Sequence, residues 1–135
     1  MPRPATTSTP TLEVTSDLAT TLVESGGYTH PLFHPADSTT RPLPGQAVLL
    51  LMGGLVERSG ALDHAIALLE IRRARFTSMV RPGARLRVDL VTGPAEPVGN
   101  GRARQEVTWT GYVDDEDEAV ATAEVLMLVC EEGER

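Results

Sequence analysis

The stretch SGGYTHPLFHPADSTTRPLPGQAVLLLMGGLVERS, residues 25–59, decides the fold of this chain. Its first half is a polar loop that carries His30 and His34, and its second half is the most apolar segment of the sequence. The pair Pro44-Gly45 favours a helix start, where the first backbone N–H groups have no acceptor within the helix. A helix this apolar is predicted to be buried. At roughly a dozen residues it is shorter than the about 20 residues that a bilayer span needs.

Two glycines, Gly53 and Gly54, interrupt this apolar segment. Each lowers the helix propensity by about 1 kcal/mol relative to alanine. Close approach of a sheet would explain this cost, because a residue without a Cβ leaves room for a neighbouring backbone. We therefore expect a central helix that a sheet surrounds, with the histidine loop at the N-terminus of the helix.

Composition limits the classes of protein that this chain can belong to. Its 135 residues predict one domain with a real core, and the formal charge of −7 argues against a nucleic-acid surface. Two acidic runs, residues 114–118 and 131–134, are interpreted as a solvated turn and a solvated tail. The single cysteine, Cys130, excludes an internal disulfide and a multi-cysteine metal site. No signal peptide or membrane span is visible, so we expect a soluble cytoplasmic protein that binds no membrane.

The N-terminal part predicts an arm and a first helix. Residues 1–10 are rich in Pro, Thr and Ser and are interpreted as a flexible arm. A short strand is expected at residues 11–14, followed by a helix with Thr15 or Ser16 at its N-cap. Gly26 and Gly27 should end this helix.

After Gly60 the pattern of apolar residues changes from helical to alternating, which predicts antiparallel strands. The expected strands cover residues 65–80, 86–90, 107–113 and 121–129, with a turn-rich break at 93–101. A buried helix followed by four antiparallel strands makes an α+β domain over residues 11–130, with residues 131–135 as an acidic tail.

Three stretches carry a family likeness: GGYTHPLF (26–33), PLPGQAVLLLMGGLVERS (42–59) and IRRARFTSMVRPGARLRVDL (71–90). Their order and spacing resemble the MaoC-like acyl dehydratases, the family that contains the (R)-specific enoyl-CoA hydratases. The resemblance covers about residues 11–130 and implies the hot-dog fold, in which a curled antiparallel sheet surrounds a central helix. It also implies an acyl thioester of CoA or acyl carrier protein as substrate, no cofactor, and a homodimer with sites at the subunit interface.

The family's acid–base residues are an Asp and a His five residues later, in a D-x-N-P-x-H loop. Alignment on Pro31 puts Tyr28 at the Asp position, His30 at the Asn position and Phe33 at the His position. The usual pair of catalytic residues is therefore absent from its usual place.

Other residues of the loop can still move a proton. His30 is the first candidate, because imidazole titrates near neutral pH and lies within the family's active loop. Tyr28 is a candidate hydroxyl donor or acceptor, His34 a base shifted by one residue, and Asp37 a group that orients either histidine. A metal site is disfavoured, because the prolines after both histidines break the helix that their spacing would need and no third ligand is near.

Two further features fit thioester binding. By the resemblance, the N–H groups of Gly45 and Gln46 would hold the negative charge that develops on the thioester oxygen, reinforced by the helix dipole. Arg72, Arg73 and Arg75 are either a solvated strand face or an anchor for the phosphates of CoA or phosphopantetheine.

The function that this pattern favours is a hydratase/dehydratase-type lyase acting at the β carbon of an acyl thioester. A variant would add a nucleophile other than water, such as an amine. One alternative is a thioesterase that uses Glu57, although Glu57 lies roughly 18 Å along the helix from Gly45. The other alternative is a non-catalytic acyl-binding subunit, or the heterodimer partner of a hot-dog subunit that retains the catalytic loop, because Phe33 replaces the histidine.

Overall fold

A six-stranded antiparallel sheet packs against the long helix α2. The computed structural model describes residues 5–131 of the chain. Its elements, in chain order, are β1 (Ala5–Ser8), β2 (Leu12–Glu13), α1 (Ser16–Ser25), α2 (Gly45–Arg58), β3 (Ala65–Phe76), β4 (Arg85–Gly99), β5 (Arg102–Val113) and β6 (Ala121–Cys130). The strands lie in the order β1-β4-β5-β6-β3, and β2 also pairs with β4. The predicted α+β class is confirmed.

Helix α1 begins and ends where its sequence signals predict. The Thr15 side chain accepts a hydrogen bond from the Leu18 N–H at 3.0 Å and so caps the helix. Ala19 and Val23 are its buried residues. The chain leaves the helix through Gly26 and Gly27, and the φ of 75° at Gly27 is one that glycine adopts readily.

Helix α2 begins at Gly45, as predicted, but only one of its faces is buried. That face carries Ala47, Val48, Met52, Leu55 and Val56. They pack on inward-facing residues of the strands, among them Leu86, Val88, Leu90, Val107, Trp109, Ala123 and Val125. The prediction of a helix buried all round was wrong, because the sheet covers one side only.

The exposed face of α2 includes Leu50, whose exposed fraction is 63%, and Glu57. Neither glycine has the sheet backbone that was predicted as its close neighbour. A Cβ on Gly53 would lie 3.5 Å from the Trp109 ring, whereas a Cβ on Gly54 would meet nothing within 4 Å. No helix in the described residues is both long and apolar enough to cross a membrane.

Strand β4 differs from its prediction. The expected break at residues 93–101 is instead the second half of β4, which runs to Gly99. Gly93 and Pro94 sit at a register shift between Thr92 and Ala95, where a bulge tolerates a proline that cannot donate to the ladder. The real turn is Gly99-Asn100-Gly101, whose three φ angles are 97°, 58° and 72°.

Strand β3 lies at the edge of the sheet and is irregular. It ends at Phe76, four residues earlier than predicted, and pairs only with β6. Its register shifts between Ala65 and Ala67, Leu68 and Glu70, and Ile71 and Arg73. Ile66, Leu68, Leu69 and Ile71 each keep 44–48% of their surface exposed.

The predicted flexible arm contains a strand. Ala5–Ser8 pairs with β4, and the Ser8 hydroxyl donates to Asp89 at 2.7 Å. The physical reason is that this pairing gives the backbone N–H and C=O groups partners on an otherwise open sheet edge. Residues 1–4, and the acidic tail beyond residue 131, lie outside the described residues.

Candidate functional site

A pocket of about 370 Å³ opens at the start of helix α2. We call it the N-terminal pocket, and it is lined by the helix start, the loop before it and the end of β3, including Phe33, Gly45, Val48, Phe76 and Met79. Among its described lining residues, only Thr77 and Ser78 have polar side chains, and none is titratable. The surface of the pocket is therefore suited to binding an apolar group.

The first turn of α2 presents two backbone N–H groups without partners. Pro44 precedes the helix and gives it no side-chain cap. The N–H groups of Ala47 and Val48 both donate to the Pro44 carbonyl. Within residues 5–131, neither the Gly45 nor the Gln46 N–H has a protein acceptor. Two free donors at the positive end of a helix dipole form a site where negative charge is stabilised.

Phe76 explains why residue 45 is glycine. A Cβ on Gly45 would lie 3.1 Å from two atoms of the Phe76 ring, closer than ordinary packing allows. The ring covers one side of the helix start while about half of its own surface stays exposed. Sequence reasoning missed Phe76, whose only signal is an aromatic residue near the end of a predicted strand.

His30 caps a short 3₁₀ turn, Pro31–Phe33. Its Nδ1 accepts a hydrogen bond from the Leu32 N–H at 3.0 Å. In neutral imidazole one nitrogen accepts and the other carries the proton. His30 is thereby set up to donate from Nε2, and the ring is exposed to solvent.

His34 has the opposite arrangement. Its Nε2 lies 2.6 Å from the backbone carbonyl oxygen of Tyr28. A carbonyl only accepts, so Nε2 carries a proton, and in the neutral ring Nδ1 then keeps its lone pair. In the neutral rings, His34 therefore offers a lone pair at Nδ1 and His30 an N–H donor at Nε2, whereas the sequence ranked His30 first as the group that moves the proton.

The loop brings an aromatic ring, and not an imidazole, to the N-terminal pocket. Phe33 lines the pocket, whereas His30 and His34 flank its lining residues in the sequence but do not line it. The Tyr28 ring packs edge-on against Phe33, with centroids 5.3 Å apart and an interplanar angle of 69°. Tyr28 thus packs against the aromatic ring that lines the pocket.

Asp37 acts as a cap. Its Oδ1 accepts hydrogen bonds from the Thr39 hydroxyl at 2.7 Å and from the Thr39 N–H at 3.0 Å. These bonds favour the charged carboxylate and hold the pKa of Asp37 below its ordinary value. No hydrogen bond joins Asp37 to either histidine in the described part of the chain, so the structure does not show the predicted orienting role.

The arginines of β3 do not reach the N-terminal pocket. Arg72 forms ion pairs with Glu106 and, at 3.5 Å, with Glu70. Arg73 and Arg75 lie opposite Glu124 and Thr122 of β6 in the strand register, and both are exposed. The structure thus places Arg72 in surface ion pairs, and none of the three arginines lines the N-terminal pocket.

Solved structures share the fold of this chain, whereas no family model and no curated protein matches its sequence. A MaoC-like dehydratase from Rhodospirillum rubrum has a TM-score of 0.78 and 14% identity, over 98% of this chain and 94% of that chain. The R-hydratase PhaJ1 from Pseudomonas aeruginosa has a TM-score of 0.67 and 20% identity, over 98% of this chain and 84% of that chain. The Mycobacterium tuberculosis 3R-hydroxyacyl-ACP dehydratase complex HadBC has a TM-score of 0.74 and 16% identity, over 93% and 96%.

These likenesses confirm the predicted hot-dog fold. They fall on the same group of proteins as the resemblance carried by residues 26–33, 42–59 and 71–90. At these identities they speak to the fold alone, so the chemistry has to be argued from the site.

Proposed function

We propose that this chain binds an acyl thioester of CoA or acyl carrier protein in the N-terminal pocket and catalyses addition or elimination at its β carbon. It would thus be a hydratase/dehydratase-type lyase. The observation that carries the proposal is the pair of unpartnered N–H groups on Gly45 and Gln46 beside an apolar pocket. A thioester oxygen placed there accepts both hydrogen bonds. The acyl group at the same time moves out of solvent into the apolar pocket.

The loop histidines supply the proton transfers in this proposal. During dehydration the His34 Nδ1 removes a proton from the α carbon, and the electron pair moves onto the thioester oxygen. The protonated His34 then delivers that proton to the β-hydroxyl, which leaves as water while the double bond forms as the enolate collapses. The His30 Nε2–H donates a hydrogen bond to the departing oxygen. Hydration is the reverse. A water molecule can relay either transfer, because both rings are exposed.

A homodimer along β3 is part of the proposal. This strand is a sheet edge of 12 residues with four half-exposed aliphatic side chains. An edge of that length and apolarity is usually covered in native proteins. A second hot-dog subunit of different sequence is the alternative partner, and HadBC, which shares the fold of this chain, is itself a complex.

The test is mass spectrometry of the purified protein after incubation with short enoyl thioesters on CoA and on carrier protein, with water alone and with a panel of amines. Gain of water or amine names the nucleophile. Free thiol with an unmodified acyl chain would instead indicate a thioesterase. His34→Ala should lower the rate about 100-fold or more. His64→Ala is the matched control, because His64 contacts Gln105 beyond the opposite end of α2.

A non-catalytic subunit is the second candidate, and Phe33 in the pocket favours it. Under this function the wild-type chain leaves every thioester unchanged but binds it. The double substitution Tyr28→Asp with Phe33→His, which restores the family's loop pattern, should then create activity. Turnover by the wild-type protein that His34→Ala abolishes would contradict this second candidate.

A further inference from the structure

Phe76 forms a wall of the N-terminal pocket directly beside the start of α2. Three of its ring atoms lie 3.1–3.2 Å from the position that a Cβ on Gly45 would take. Gly45 carries one of the two helix-start N–H groups that have no acceptor in residues 5–131. A group that binds to those donors therefore has to fit beside the Phe76 ring.

The backbone at Phe76 is held in place by β6 and by the segment before it. Phe76 is the last paired residue of β3. The next residue, Thr77, donates through its N–H to the Val120 carbonyl at 2.9 Å and through its hydroxyl to the Ala119 carbonyl at 2.7 Å. Side chains stand out from the plane of a sheet, whereas a further strand pairs within that plane. A partner along β3 would therefore not displace the ring from Gly45.

Other lining residues of the pocket differ in how tightly they are held. Pro42, Pro44 and Val48, which flank the helix start in the sequence, are buried. Leu32 and Met79 are 46% and 51% exposed, and a methionine side chain adapts readily to different shapes. The pocket thus has fixed walls beside the helix start and adaptable side chains where it meets solvent.

These contacts bear on the α carbon of the substrate, and the inference rests on the proposed function. A thioester oxygen that accepts hydrogen bonds of about 2.9 Å from Gly45 and Gln46 brings the α carbon to within about 5 Å of both nitrogens. We propose that Phe76 restricts the substrate to acyl thioesters without a substituent on the α carbon. An α-methyl group would need space that the ring occupies, whereas a branch farther along the acyl chain reaches the adaptable side chains.

Saturated CoA thioesters test the proposal by binding alone, because they have neither a double bond to hydrate nor a β-hydroxyl to eliminate. Isobutyryl-CoA is the isomer of butyryl-CoA with its branch on the α carbon. Calorimetry on the wild-type protein should show that isobutyryl-CoA binds about 10-fold or more weakly than butyryl-CoA, the usual discrimination of an apolar pocket against one methyl group. 4-Methylpentanoyl-CoA, branched beyond the β carbon, should bind at least as tightly as butyryl-CoA.

Variants of the pocket wall assign the discrimination to Phe76. Phe76→Ala should make the affinities for butyryl-CoA and isobutyryl-CoA nearly equal. Phe76→Leu keeps an apolar side chain in the wall and should lower the ratio of the two affinities less, which provides a test should the alanine variant fail to fold. Met79→Ala is the matched control, because it truncates another lining residue and should leave the ratio unchanged.

The outcomes separate this proposal from the proposed function. Equal affinities for the two isomers in the wild-type protein overturn the role of Phe76 while thioester binding stands, and so does a ratio that neither Phe76 variant changes. Rejection of 4-methylpentanoyl-CoA as strong as that of isobutyryl-CoA also overturns it, because the pocket would then exclude any branch. If none of the three thioesters binds, the proposed function fails and the role of Phe76 fails with it.

Discussion

Helix α2 has a cavity of similar size at each end, but the two cavities have opposite chemistry. The N-terminal pocket, about 370 Å³, has no titratable residue in its described lining and two free backbone donors, on Gly45 and Gln46. The C-terminal cavity at the other end, about 420 Å³, is lined by the carboxylates of Glu57 and Asp63 among mainly apolar residues such as Val56, Leu62 and Trp109. The difference follows from the direction of the helix, whose N-terminus is positive and whose C-terminus is negative. One end is suited to developing negative charge, and the other disfavours negative charge.

Met52 lies on the buried face of α2 between its two ends, and its truncation should have the largest effect. The side chain is fully buried, and its sulfur lies 3.1 Å from the position of a Cβ on Gly111. Met52→Ala should lower the free energy of unfolding by about 2–5 kcal/mol, because it leaves a cavity in the core. Urea denaturation checks this value. Leu50→Ala, on the exposed face of the same helix, is the control and should change the free energy of unfolding little. A loss of stability equal to that of Met52→Ala would contradict the distinction between a buried and an exposed face.

Removal of the Glu57 charge should affect one end only. Glu57→Gln should raise the affinity of hexanoate for the C-terminal cavity by up to about 5-fold, since an exposed charge contributes about 1 kcal/mol or less. Titration followed by Trp109 fluorescence measures the affinity for hexanoate. Glu70→Gln, which removes an exposed charge that pairs with Arg72, is the control. A hexanoate affinity that is the same in Glu57→Gln and in wild type would contradict the proposed difference in charge preference between the two ends of α2.

Asp37 should have the smallest effect and a defined pH dependence. Its pKa is lowered by the hydrogen bonds from Thr39, so its contribution to stability is complete above the ordinary carboxyl pKa of 3.8 and is lost as pH falls through the lower folded value. Asp37→Ala should reduce the thermal midpoint slightly at neutral pH, with a smaller difference from wild type in acid. Asp37→Asn keeps an acceptor for the Thr39 N–H and should lose less. A difference that grows in acid would contradict this role.

Local sequence signals predicted the start of helix α2 better than any other feature. Pro44-Gly45 marks the helix start within two residues, and the free N–H groups follow from helix geometry alone. The hydrogen bond between His34 and the Tyr28 carbonyl was not predictable, because it depends on how the loop closes. The exchange of roles that we propose between His30 and His34 therefore depends on coordinates.

Features that depend on pairing between distant segments were predicted poorly. Gly93-Pro94 is typical of a turn, yet β5 pairs on both sides of it and a bulge absorbs it. The composition of residues 1–10 indicates an arm, yet β4 offers an open edge to Ala5–Ser8. The C-terminal cavity joins residues from five segments, and no local pattern identifies Trp109 as their common neighbour.

Polarisation of a thioester carbonyl by the helix start can be observed with isotope-edited infrared spectroscopy. Crotonyl-CoA labelled with carbon-13 at the carbonyl should show a lower stretching frequency when bound. Gly45→Pro removes one N–H at a helix position that tolerates proline and should reduce the shift. Gly45→Ala adds a Cβ against Phe76 but keeps the N–H, and should retain the shift. A carbonyl frequency that is the same free and bound, or the same in all three proteins, would contradict this role of the helix start.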